Sequence, residues 1–253
     1  MSTAQRVVGA HYRVLPFELS WSSATTPLPQ RQVRGHVRSL EAPPWVDTGA
    51  PGKPFHFSEY VRRLCADIAA NYRPLAHIDV SRMIFTFTQA RNFRVHGLQA
   101  KVTPLRFHHG RLTRLYRGVP YQVQQFFHER REILYVVTFC LPRFFNRDFV
   151  DKFVTIFHEL FHISPAFDGD LRRHQGRYCV HTASQKHYDE EMALMAREYL
   201  QNGADPRLHG FLRLNFSQLC NRHGSVIGHV VPRPKLIPIR TALHRATDGS
   251  RTS

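Results

Sequence analysis

The residues of this chain best equipped for chemistry are His158, Glu159 and His162, in the run FHELFHI. Two histidines four apart on a helix project from one face, one turn apart. That spacing lets two imidazole nitrogens reach one tetrahedral Zn²⁺ at about 2.0–2.1 Å. Glu159 follows the first of them, so its carboxylate falls beside such a metal rather than on it. From there it can take a proton from metal-activated water and pass it to a leaving amine. With 17 His and 9 Glu in 253 residues, chance supplies about 0.04 copies of H-E-x-x-H. The bland alternative is a surface helix carrying two incidental histidines and a solvated glutamate.

An open catalytic zinc site needs a third protein ligand and keeps a fourth position for water. Asp168 stands six residues past His162, a spacing used where a glycine three residues past the second histidine makes a tight turn. Here Pro165 occupies that place, and proline cannot supply a positive φ. Asp168-Gly169-Asp170 reads more simply as a turn. His174 sits in an Arg-rich stretch. His181 precedes a second helical pattern that Ser184 could cap, and from that junction it can face back to the first helix. Glu190, Glu191 and His187 could reach in from the second helix itself, and Cys179 lies close in sequence. His181 is preferred among these, and the others stay open.

The elements that must hold these groups follow from periodicity. Residues 146–163 read as a helix with Asn146 as N-cap and Asp148 in the first turn. Phe149, Phe153, Ile156, Phe157 and Leu160 form its apolar face, with Asp151, Thr155, His158, Glu159 and His162 opposite. An earlier helix, capped by Ser58, carries Tyr60, Val61, Leu64, Cys65 and Ile68 on one stripe and stops at Pro74. Residues 80–88 and 100–107 are β-rich and alternating. Residues 121–127 and 133–139 flank the charged turn at 128–131 and predict a hairpin. The second helix carries Met192, Met195, Tyr199 and Leu200 on its apolar side and ends at Gly203. Residues 208–239 predict a short helix ended by Gly224, then one or two strands.

Residues 1–53 are rich in Pro, Ser, Thr and Arg and read as a flexible leader; residues 232–253 read as an extended basic tail. Between them, 54–231 is expected to form one domain, with the role of 204–231 unassigned. Cys65, Cys140, Cys179 and Cys220 form no C-x-x-C pair, so a zinc ribbon or redox motif is excluded and buried thiols are expected. No apolar run is long enough to span a membrane and no export signal is visible, which makes a cytoplasmic protein the expectation. The formal net charge is +16. No acidic residue lies between Arg91 and Arg117 or from Pro206 to Thr247, and such surfaces attract polyanions, nucleic acid first.

At HELFHI and VHTASQKHYDEEM the chain resembles the SprT-like and phage-type zinc metallopeptidases, and the order helix, strands, helix from Ser58 matches as well. The resemblance covers roughly residues 57–203. It implies an α+β, zincin-like domain with a small, mostly antiparallel sheet, Zn²⁺ held by His158, His162 and His181, and Glu159 as the catalytic base. It also implies peptide-bond hydrolysis on a protein or peptide substrate, including nucleic-acid-associated proteins. The chain departs from the pattern at Thr182, where a glycine is usual, and at Tyr188, where the following aromatic is displaced. A sheet edge near the motif, expected at 133–139, could take an extended substrate by strand addition. The rival expectation is a non-catalytic basic nucleic-acid-binding protein whose metal is structural or absent.

Overall fold

The computed structural model describes residues 18–23, 26–40, 52–90, 97–173 and 185–239. In chain order these residues form β1 (Glu18–Ser23), β2 (Thr26–Arg34), β3 (His36–Leu40), β4 (Phe55–His56) and α1 (Phe57–Asn71). There follow β5 (Met83–Gln89), β6 (Ala100–Pro104), β7 (Thr113–Tyr116), β8 (Val119–Val123), β9 (Gln125–His128), β10 (Arg131–Ile133) and β11 (Tyr135–Leu141). The chain continues through α2 (Phe149–Phe161), α3 (Gln185–Gln201), α4 (Pro206–His209), α5 (Phe216–His223), β12 (Val226–Val230) and β13 (Leu236–Pro238). The class is α+β. No helix among the described residues is long and apolar enough to cross a membrane.

The single small sheet expected from sequence is instead four, in the strand orders β10-β9-β1-β2, β5-β11-β6, β3-β12-β4 and β13-β8-β7. The second of these organises the molecule. Its middle strand, β11, runs parallel to β5 and antiparallel to β6. Side chains alternate across a strand, and both faces of β11 are covered. Tyr135, Val137 and Phe139, with Met83, Phe85 and Phe87 of β5, enter the main core with α1, α2 and α3. Val136 and Ile84 point the other way, into a second core with Leu19, Leu105, Val123, Phe126 and Ile133. A strand buried on both sides reads as an unbroken apolar run, which is what 133–141 is.

Part of the expected flexible leader is strand: β1 pairs with β2 and with β9, and Leu19 is fully buried in that second core, while residues 1–17, 24–25 and 41–51 of the expected leader lie outside the described residues. The face of Ile84 and Val136 would otherwise meet water, and β1 helps cover it. Likewise β13, inside the expected tail, pairs with β8. The predicted hairpin about 128–131 exists, but as the short strands β9 and β10. The chain then breaks at Leu134 and enters a different sheet as β11.

Two helix starts also differ from expectation. Helix α1 is capped by His56, whose Nδ1 accepts the Glu59 N–H at 3.4 Å. Ser58 lies inside the first turn and accepts the His229 N–H at 2.8 Å. Helix α2 starts after Asp148, while Asn146 Oδ1 accepts the Phe216 N–H at 3.3 Å and so ties the two helix starts together. Cys65, Cys140 and Cys220 are free and buried, as expected.

Candidate metal centre

Helix α2 carries the motif where its periodicity requires. Phe153, Ile156, Phe157 and Leu160 are buried against the main core, and His158 and Glu159 follow on the adjoining face with His162 at the C-cap. The helix end is held firmly. Arg172 donates from its backbone N–H to His162 O at 2.6 Å and from Nε to Phe161 O at 2.7 Å, and its guanidinium lies 4.0 Å over the Phe161 ring. A cation on the last carbonyls satisfies acceptors that the helix itself leaves open.

The two imidazoles meet. Their ring centroids are 4.5 Å apart, edge to face at 85°. Tyr188 of α3 is buried between the helices, its ring 4.9 Å from His158 and stacked at 20° on His162. Asp189 Oδ1 approaches His158 Nδ1 at 3.8 Å, the kind of carboxylate neighbour that orients a metal-ligating histidine. Helix α3 is itself fixed to α1 by Tyr199 Oη donating to Asp67 at 2.6 Å and Tyr72 Oη donating to Glu198 at 2.7 Å.

Glu159 is buried, at 6 % exposure, which sets aside the bland alternative of a solvated glutamate. Burial pushes its carboxyl up to about 7, offset only in part by a backbone hydrogen bond from Val102 of β6. The strand register explains why Val102 is available. Cys140 N–H bonds to Gln99 O and Leu105 N–H to Leu134 O, so the odd-numbered residues of β6 face β11. Ala100, Val102 and Pro104 then turn their backbone groups outward, toward α2. Proline at an outward position leaves no stray donor.

A cleft of about 1040 Å³ opens beside these groups, lined by Gly97 to Ala100 on one wall and by α2 and α3 residues on the other, with His158, Glu159 and Asp189 in it. Leu98, Val150, Val154 and Ala193 make part of the lining apolar. The expected docking edge at 133–139 is corrected here, since β11 is paired on both sides. The strand at the cleft is β6.

Among the described residues no group of three His, Cys, Asp or Glu is able to hold a metal. Asp168 closes a turn, its Oδ1 accepting the Asp170 N–H at 3.1 Å, in keeping with the local reading of that segment. Glu190 and Glu191 are exposed on α3. His174, Cys179 and His181 lie outside the described residues, as does the side chain of His187.

Sequence reasoning missed three contributors: the Val102 N–H, the Tyr188 ring and Asp189. A backbone donor leaves no mark in a sequence, and Tyr188 and Asp189 join the site only through the packing of α3 on α2. It also missed Lys152, buried on α2, where Nζ donates to Leu212 O and Leu214 O at 2.9 Å each. Burial pulls that ammonium down to about 8. No protein-family model, no curated protein and no solved structure matches this chain.

Proposed function

We propose that the chain is a zinc-dependent metallopeptidase with a zincin-like domain, in which His158, His162 and a third residue, His181 by preference, hold the metal. One observation carries this reading. His158 and a buried carboxyl raised to about 7, Glu159, line one wall of an open cleft, and the buried His162 ring packs edge to face against His158 just behind that wall. The nitrogen donors suit zinc, and two of the three protein ligands that an open site needs are already side by side.

Zinc, when bound there, polarises a scissile carbonyl and lowers the pKa of water toward about 7. The remaining steps belong to the chain's own groups. Glu159, with a proton affinity near neutrality, takes a proton from the attacking water and returns it to the leaving amine. The Val102 N–H fixes one side of that carboxylate. Asp189 and Tyr188 hold the His158 and His162 rings in place. An extended peptide laid along β6 meets the outward Ala100 N–H and C=O, and apolar side chains of that peptide face Leu98, Val150 and Val154.

The test is zinc content by elemental analysis together with hydrolysis of a fluorogenic peptide library, on wild type, His158→Ala and Glu159→Gln. The reading requires about one zinc per chain, lost in the first variant and kept in the second, with hydrolysis lost in both. Wild-type protein that takes up no zinc and cleaves nothing would overturn it, and would favour the non-catalytic nucleic-acid-binding alternative.

A further inference from the structure

Large apolar side chains exposed among the described residues are few: Leu98, Leu112, Leu115, Tyr116, Val150, Leu194 and Leu236. Leu98 and Val150 line the cleft already described. Four of the others, Leu112, Leu115, Tyr116 and Leu236, gather on or beside the β13-β8-β7 sheet, far more densely than singly scattered surface residues would. Leu115 is 69 % exposed, Leu236 60 % and Tyr116 56 %. Every residue of β7 is exposed, so this ribbon stands out from the body. Its tip turns at Arg117 and Gly118, both with positive φ, the backbone a two-residue hairpin turn needs.

The charge on this ribbon has one sign. The sequence holds no Asp or Glu from Val80 to His128 and none from Pro206 to Thr247. Pairing of β8 with β13 brings these two acid-free stretches together, so the sheet contains no carboxylate. Arg111, Arg114, Arg117, Arg233 and Lys235 lie on it or flank it, all exposed.

Aromatic rings stand among these cations. Residues directly opposite on neighbouring strands share a face, and Arg114 pairs with Tyr121 and Tyr116 with Val119. Arg114, Tyr116 and Tyr121 therefore lie on one face. The two tyrosine rings are 6.3 Å apart, and the Arg117 guanidinium sits 5.3 Å from the Tyr116 centroid. An exposed ring, Tyr116, and a half-buried one beside it, Tyr121, interleaved with arginines offer π-faces to bases and cations to phosphates, which is how single strands are held without sequence readout. A duplex hides its bases and could use only the charge.

We propose that the β7–β8–β13 ribbon binds single-stranded nucleic acid, with Tyr116 and Tyr121 stacking on bases and Arg111, Arg114 and Arg117 pairing with phosphates. This surface is independent of the metal centre, and its test needs no hydrolysis. Full-length protein is titrated into a labelled 20-nucleotide oligo(dT), the same sequence as duplex, and phosphatidylserine vesicles, across a salt series. Tight binding is expected for the single strand, weaker binding for the duplex. Arg111, Arg114 and Arg117 changed together to Ala should flatten the log–log salt slope by about 2, at roughly 0.7 per lost phosphate contact. Tyr116→Ala should weaken oligo(dT) binding about tenfold, within the range of one lost base stack.

Because the whole chain is basic, the control removes equal charge elsewhere, at the exposed Arg63, Arg73 and Arg222. If that control weakens binding as much as the ribbon variant does, the assignment fails. It fails too if the tyrosine change has no effect, or if vesicles bind and the oligonucleotide does not. All these side chains are exposed, and thermal melting confirms that each variant is folded.

Discussion

Among the described residues, two histidine ring pairs have a glutamate one position or one turn away, and they behave differently. His158 and His162 have ring centroids 4.5 Å apart beside Glu159. His56 and His229 have theirs 5.0 Å apart, also edge to face, near Glu59 and beside a smaller cavity of about 330 Å³. In the second pair the polar groups are consumed by the fold. His56 Nδ1 caps α1, and the Glu59 carboxylate accepts two hydrogen bonds from Arg62 at 3.0 and 3.2 Å. Burial pushes Glu59 upward, but Arg62, joined by His229 and His56, holds the carboxyl below its ordinary value. Among the described residues no guanidinium plays that role for Glu159, and burial leaves it near 7. Proximity of imidazoles is common to both. What separates them is a carboxyl tuned toward neutrality against one pinned as an ion.

The sharpest way to break this contrast is to delete one ring from each pair. His158→Ala or His162→Ala should abolish both zinc retention and peptide hydrolysis. His229→Ala should leave both within about twofold, since a site away from the metal carries no transition-state contact. Equal loss of zinc in the two sets, read by elemental analysis, would erase the distinction. The glutamates come next. Glu159→Gln should lower kcat about 10²–10⁴-fold, the usual worth of a general base, with zinc stoichiometry unchanged. Glu59→Gln should change kcat little and instead cost some stability through the lost Arg62 contacts.

Much of this was legible before any coordinates. Helix α2 announced itself by apolar residues at helical spacing, and the doubly buried β11 by its unbroken apolar run. The burial of Glu159 was not legible, because a helical pattern separates polar from apolar faces but does not say whether the polar face meets bulk water or a cleft wall. Here it meets β6. The pairing of β1 with β2 and β9 was hidden for a related reason. The composition of that segment resembles a linker, and only the exposed face of Ile84 and Val136 on another part of the chain gives it something to cover. Strand pairing of this kind is a tertiary fact, as is the partnership of β8 with β13. His181 rests on its place just before the second helix and on resemblance, and lies outside the described residues.

A smaller effect sharpens the first pair from outside. Tyr188 stacks on His162 and meets His158 edge-on, so Tyr188→Ala should free both rings to reorient. Removing a group that orients metal ligands costs about 10–100-fold in metal affinity, and tenfold is the expectation for a packing contact. The buried aromatic should also cost about 3 kcal/mol of stability. Competition with a zinc chelator separates the two, because a purely structural role would lower the melting temperature and leave the affinity of the folded protein alone.

The smallest effect concerns the second pair and acid. Burial first, then the neighbouring His56 charge, holds His229 down to about 4. Between its ordinary value of 6.5 and about 4, the unfolded chain takes up a proton that the folded protein refuses. The unfolded state therefore binds more protons in that window, and stability falls as the pH is lowered through it. His229 is partly exposed, so the loss should be about 1–2 kcal/mol rather than the full value of the shift. Denaturant melts of wild type and His229→Asn between pH 7 and 4 read this directly. The variant should show a shallower decline, and zinc content should not change with it. An identical decline in the two proteins would mean that His229 titrates as freely folded as unfolded, and that the second pair is no more than two neighbouring rings.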